Sequence, residues 1–352
     1  MYRKSLKVTA GLLLGAIGSS AQAQSSEVVI FGVIDTGIQY QSHAGPGGQG
    51  SAYQMTTGNT AASRWGLRGT EKLGGGLSAI FALDGGFNSD VGTSAQGGRL
   101  FGRQAWVGLQ GNWGALTLGR QNNTLLDLFV PLEPTRYSTY GLLPQDVQFF
   151  NRVDNSVKYT GNFGNLTVTG LYSAGYDSTV ANGAEVPGAP RIGQEFSAGS
   201  SYTIGKLGMA AAYDQRRGNS AATQGQVERR YVGALLWTDG PFTATAGYRF
   251  LQGSVSGPSV RSNLYWLGAG YNFTPAWVVR AGIYRTDVRN SPDGAMSYAL
   301  TTEYSLSKRT TLFLNGSYLE NKGKSAFSVV IGGTGYAGVS QTAVVTGVRH
   351  IF

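Results

Sequence analysis

Few side chains in this 352-residue chain are equipped for covalent chemistry, since it holds two histidines and no cysteine. A serine or threonine nucleophile needs an adjacent base. His43 falls in the Gly-rich "QSHAGPGG", and His350 shares its parity with Val344 and Val348 near the chain end, so neither is placed as such a base. Thiolate metal ligation and disulfides are unavailable. "LGGGL" lacks the Lys-Ser/Thr pair of a phosphate cradle and reads as a turn. No catalytic residue, metal ligand or cofactor is therefore expected. What remains is fixed charge in apolar surroundings. "SRWGLRGTEKLGGGLSAIFALDGGF", Ser63 to Phe87, carries Arg64 and Arg68. "QNNTLLDLFVPLEPTRYSTYGLLPQDVQFF", residues 121–150, sets Asp127, Glu133 and Asp146 among Leu125, Leu126, Leu128, Phe129, Val130, Leu142 and Leu143. Charges held in a low-dielectric passage steer ions without making any bond.

The period of the apolar residues shows what must position these charges. Trp65 and Leu67 alternate with Arg64, Gly66 and Arg68. Met296, Tyr298, Leu300, Tyr304 and Leu306 alternate with Ser297, Thr301, Glu303 and Ser305, and Val153, Val157 and Tyr159 alternate with Arg152, Asp154, Ser156 and Lys158. Period two over about ten residues describes a tilted strand with one apolar and one polar face, as a membrane-spanning barrel requires. The mature chain has no run of 18 apolar residues, which excludes membrane helices. Short breaks rich in Gly, Pro, Asn and Ser lie at 72–76, 111–114, 161–165, 203–206, 239–241, 274–276 and 307–310. Longer ones lie near 42–61, 88–98, 121–150, 174–193, 215–228, 251–261, 288–294 and 321–340. Strict alternation of the two kinds predicts sixteen strands with both termini on the short-turn side. A closed sheet also satisfies every backbone donor and acceptor in lipid. The fold class is thus all-β, a sixteen-stranded antiparallel transmembrane barrel with short periplasmic turns and long extracellular loops.

At the N-terminus, Arg3, Lys4 and Lys7 precede an apolar run from Val8 to Ile17 and a small-x-small Ala21-Gln22-Ala23. This is the pattern of a cleaved signal peptide spanning 1–23. The run is too short for a membrane anchor. Residues 24–352 form one barrel domain, without a linker. Three of the positive charges in the formal +9 fall in the leader, so the mature chain remains net positive. Its 54 glycines, 19 tyrosines and 15 phenylalanines suit strands and tight turns.

Several stretches resemble the general diffusion porins of Gram-negative outer membranes, in their β-proteobacterial branch. They are "SSEVVIFGVIDTGIQY", the Ser63–Phe87 segment, "LFGRQAWVGLQGNWGALTLGRQ", "NSVKY", "YSLSKRT" and the closing "GVRHIF". The resemblance implies an outer-membrane, water-filled channel for passive diffusion of small hydrophilic solutes and ions, assembled as a homotrimer, with its third loop (121–150) folded inward to narrow the pore. The apolar character of residues 121–150 argues for that inward loop independently. By motif, the resemblance puts Arg64, Arg103 and Arg152 on the wall facing the loop, with Asp127, Glu133 and Asp146 as the acids opposite. Net positive charge and three wall arginines predict weak to moderate anion selectivity.

Phe352 ends the last strand at the lipid interface, and the resemblance makes it the address read by the barrel-assembly machinery. Small residues Gly32, Gly37, Ala79 and Gly85 suit subunit contact. "QRRG" and "VERRY" read as a loop rim able to touch lipopolysaccharide phosphates rather than nucleic acid. A structural or adhesive barrel whose loops bind ligands is the alternative function.

Overall fold

The computed structural model describes residues 26–136, 138–176 and 185–352; the expected leader, residues 1–23, lies outside them. Eighteen strands join in one antiparallel sheet. They are β1 (Ser26–Ser42), β2 (Ser51–Thr57), β3 (Arg64–Gly74), β4 (Leu77–Asn88), β5 (Thr93–Ser94), β6 (Gln104–Gly111), β7 (Gly114–Asn122), β8 (Arg152–Phe163) and β9 (Leu166–Ser173). The series continues with β10 (Glu195–Ile204), β11 (Leu207–Arg217), β12 (Val227–Asp239), β13 (Phe242–Gly253), β14 (Val260–Asn272), β15 (Trp277–Val288), β16 (Gly294–Ser305), β17 (Thr310–Lys322) and β18 (Gln341–Ile351). Sixteen of these form the wall, and β2 and β5 belong to the first two long connections. The ring closes where β1 pairs with β3 through its first half and with β18 through its second, Val33 facing Ile351 and Gln41 facing Ala343. Long and short connections alternate as the sequence predicts, so all long ones share one rim.

The two faces follow from the pleat. Arg64, Gly66 and Arg68 pair with Val33, Phe31 and Val29, on the face that also carries the buried Asp35 and Gln39. Trp65 points the other way and is exposed. On that outer face Tyr231, Tyr265 and Tyr298 form one aromatic belt, and Trp237, Tyr271 and Tyr304 form another near the short-turn rim. The six residues separating each pair span about 20 Å of strand, with Leu235, Leu267 and Leu300 exposed between them. This is the girdled apolar band of a membrane barrel. Val153 departs from its expected lipid exposure. It is fully buried with Leu171 and Tyr176, because the positive φ of Asn155 and the irregular register between Gly119 and Gln121 break the alternation there.

Phe352 seals the seam. Its backbone N–H and C=O exchange hydrogen bonds with Gly32, both 3.0 Å. Its ring lies over Gly32 so closely that a Cβ there would be 2.1 Å from Cζ. Gly32→Val is expected to swing the ring off the seam and cost about 1 kcal/mol of packing. Phe352→Ala should lose the same contacts, so the double variant should be no worse than either single one. The temperature at which the folded gel band disappears tests this, and additive losses would refute it.

Candidate functional site

The third long connection, residues 123–151, does not project away from the barrel. It begins with a helix, Thr124–Phe129, capped by Asn123, whose side-chain oxygen accepts the N–H of Leu126. Leu125, Leu126, Phe129 and Phe149 are essentially inaccessible. Phe149 meets Phe129 and the inner-wall Trp266 edge to face, at 5.8 Å in both cases. Pro134 rests on Gly268 and Gly282, where a Cβ would come within 2.4 Å and 3.0 Å of its ring. Only glycine allows that approach. The segment is therefore a lining of the wall from β10 to β15, which explains its apolar composition.

Polar anchors fix its path. Thr124 accepts a hydrogen bond from Ser197 at 2.7 Å, Gln145 accepts one from Thr286 at 3.1 Å, and Thr245 donates to the carbonyl of Leu132. At the far tip the segment crosses to the opposite wall, where Tyr140 donates to Gln39 at 3.1 Å and the N–H of Thr139 to the carbonyl of Asn59 at 3.0 Å. Asn59 belongs to an excursion, residues 58–63, held by Asp35. That fully buried carboxylate accepts the N–H groups of Asn59, Thr60 and Ala61 at 2.8–3.0 Å and the Thr60 hydroxyl at 2.6 Å. Arg349 in turn donates to Thr60 at 2.8 Å and pairs with Glu303 at 3.0 Å. Asp35 thereby positions both the tip of the segment and a lumen guanidinium.

The three acids expected to face the wall arginines are committed to other partners. Asp127 pairs with Lys158 of β8. Glu133 is 5% exposed and accepts hydrogen bonds from the hydroxyls of Tyr284 and Thr135 and the N–H of Leu142. Asp146 accepts a hydrogen bond from the Nε–H of Arg230 at 2.8 Å and forms an ion pair with Arg249, whose Nε lies 3.1 Å away. The reason is physical: a carboxylate carried on a segment that packs against the wall must find donors there or bear the cost of desolvation. Burial raises the pKa of Glu133 against its hydrogen bonds. For Asp146 burial acts in the same direction, but the guanidiniums of Arg230 and Arg249 overcome it and hold the carboxyl at about 2. Arg230, from "VERRY", is thus an interior anchor and no part of a loop rim.

Of the expected basic wall, Arg64 donates to the carbonyl of Ala62 at 3.0 Å. Arg152 donates to that of Phe150 at 3.2 Å and stacks on its ring. Arg103 pairs with Asp84 at 3.0 Å. Beside them Arg99 and Arg120 share one carboxylate, Asp154, at 2.9 and 2.7 Å. Sequence reasoning missed these two, along with Arg249, Arg280, Arg349 and the exposed Arg136 of the segment itself, which lies near enough to Arg280 for their charges to interact. A guanidinium hydrogen-bonded to a carbonyl keeps its full charge, and two guanidiniums on one carboxylate leave a net positive site.

A closed, girdled barrel with a polar lumen and one segment laid across it defines a membrane channel. A family model described as Gram-negative porin matches residues 9–324, and the chain belongs to that family. An outer membrane porin protein of Bordetella pertussis is 33% identical over 99% of this chain and 100% of its own length. Outer membrane porin protein 32 of Delftia acidovorans is 32% identical with the same coverage. The solved anion-selective porin from Comamonas acidovorans superposes with a TM-score of 0.77 at 27% identity, covering 93% of this chain and 100% of that one. The protein is an outer-membrane channel for passive diffusion of small hydrophilic solutes.

Proposed function

We propose that the channel prefers anions, and that residues 123–151 form its constriction. The supporting observation is an asymmetry of charge: the acids of that segment are consumed in anchoring it, while Arg64 and Arg152 donate to backbone carbonyls, Arg99 and Arg120 share a single carboxylate and Arg136 is exposed. A narrow passage between low-dielectric walls focuses such a field. The anion-selective Comamonas porin lends its likeness to the reading. In a tenfold potassium chloride gradient the zero-current potential should carry the sign of chloride preference, and a cation-preferring potential would refute it.

The short-turn rim, where Ser26 and Phe352 lie, faces the periplasm in this reading, and residues 1–23 are the export leader. Transport is passive, without a catalytic group. Subunits assemble in threes, as one solved structural neighbour does in its trimer form. The contact is laid on β1 by Val28, Ile30 and Ile38, which are 61–69% exposed, rather than by Gly32 and Gly37, two of the four small residues singled out in the sequence. Gly32 is filled by Phe352, and Gly37 faces inward beside Asn59. Unheated protein in mild detergent should scatter light as three protomers; a monomer mass would refute the trimer. Phe352 as an address for the assembly machinery, and loop contacts with lipopolysaccharide, belong to the same proposal.

A further inference from the structure

Between the constriction arginines and the short-turn rim, one strip of the inner wall does not fit a plain water channel. Apolar inner residues on β14 are covered by the inward segment, as Leu264 and Trp266 are, at 0% and 2% exposure. On β1, β4 and β6 the inward-facing Val29, Phe31, Ile80 and Trp106 remain half-exposed. Register places them together: Val29 faces Arg68, Arg68 faces Ala82, and Ala82 faces Trp106. Glu27, Val29, Arg68, Ile80, Trp106 and Gln110 are among the residues lining a cavity of about 380 Å³, within the ~300–1,000 Å³ usual for small-molecule sites.

Arg68 differs from most lumen cations. Arg103, Arg99, Arg120 and Arg349 each lie on a carboxylate, whereas Arg68 is exposed and stands 5.5 Å over the Phe31 ring. It lies four residues from Arg64, about 13 Å along the strand. The indole N–H of Trp106 is tied to Gln104 at 2.6 Å, which fixes the ring on the wall. Glu27, one row closer to the rim and facing Thr70, also lines the cavity, and its charge disfavours a carboxylate at that end, leaving the Arg68 end for it.

We infer that this cavity is a subsite for aromatic carboxylates, where the carboxylate pairs with Arg68 while the ring lies against Trp106 and Ile80. An inorganic anion has no use for the apolar wall, and a neutral aromatic has none for the guanidinium. The inference rests on the anion-preferring channel proposed above and adds to it the class of solute that dwells on the way through.

Benzoate and acetate, added to wild-type channels in planar bilayers at 0.1 M potassium chloride, provide the test. Benzoate should reduce the chloride current saturably and acetate should not. Trp106→Leu and Arg68→Gln should each raise the half-blocking benzoate concentration about fivefold, equivalent to about 1 kcal/mol, each read against that variant's own unblocked chloride current. Arg68 is exposed, so its variant carries the test if the indole variant does not fold. Equal action of benzoate and acetate, or an unchanged midpoint in the folded variants, would overturn the subsite. The zero-current potential of the same membranes keeps the two readings apart. A chloride-preferring channel that treats both acids alike refutes the subsite alone, and a cation-preferring one refutes the reading beneath it.

Discussion

Asp146→Asn should convert a quiet channel into a noisy one. Arg230 and Arg249 meet on that carboxylate, and all three side chains are at least 96% inaccessible. The variant leaves Arg249 without its carboxylate, while Arg230 keeps Glu228 at 2.7 Å and Asp214 at 3.7 Å, so the cost should fall below the ~3–5 kcal/mol of a buried pair broken outright. The wall is held by continuous strand pairing, so the loss falls on residues 142–149, the return arm of the inward segment. Single-channel records should show rapid conductance fluctuations, and protease should cut that arm in the variant alone. An Asp146→Asn channel as steady as wild type would exclude Asp146 as the anchor.

The same contact sets an acid limit. A carboxyl held near 2, below its ordinary value of about 3.9, contributes roughly 2–3 kcal/mol. That contribution is fully present above the ordinary value and is lost as pH falls through the folded one. Wild-type channels should therefore stay quiet down to about pH 3 and turn noisy near pH 2. Glu133 works in the opposite sense, since its raised pKa lets it protonate first and favours the folded form on acidification. Noise that begins near pH 5 would contradict the assignment to Asp146.

The barrel was legible because its signals are local. Period two, the alternation of short and long breaks and the apolar run of 121–150 can each be read within about thirty residues. The partners of the charges were not legible. Arg230 lies 84 residues from Asp146, and nothing in "VERRY" separates a guanidinium turned inward from one on a rim. Asp35, within "GVIDTG", has no local mark of its role, because its donors come 24 to 26 residues later from an excursion whose path depends on the carboxylate itself. The acids of the third connection read as lumen charges because a sequence records a charge and omits what neutralises it. Their apolar neighbours gave the correct hint: a segment that packs on the wall brings its carboxylates to the wall.

Replacing Arg64 and Arg103 by glutamine should shift the zero-current potential toward cations, with unequal shares from the two sites. Each guanidinium about 10 Å from a passing ion, at an effective dielectric near 20 and with screening at 0.1 M salt, acts on it with roughly 0.5–1.5 kcal/mol. Two such charges change the chloride-to-potassium permeability ratio several-fold. At 1 M the Debye length shrinks to about 3 Å, so most of the difference should vanish. Guanidinium does not titrate in the working range, and the wild-type preference should accordingly be level from pH 5 to 9. Arg103 stands on Asp84, whose side chain is 3% exposed. Arg103→Gln therefore both removes a cation and leaves a bare carboxylate, and it should shift the potential further than Arg64→Gln. Adding Asp84→Asn to Arg103→Gln should recover part of that extra shift, whereas a charge acting only through solvent would show no such rescue. An unchanged potential in the Arg64→Gln, Arg103→Gln double variant would leave both as solvated wall charges and move selectivity to Arg99, Arg120, Arg136 and Arg152.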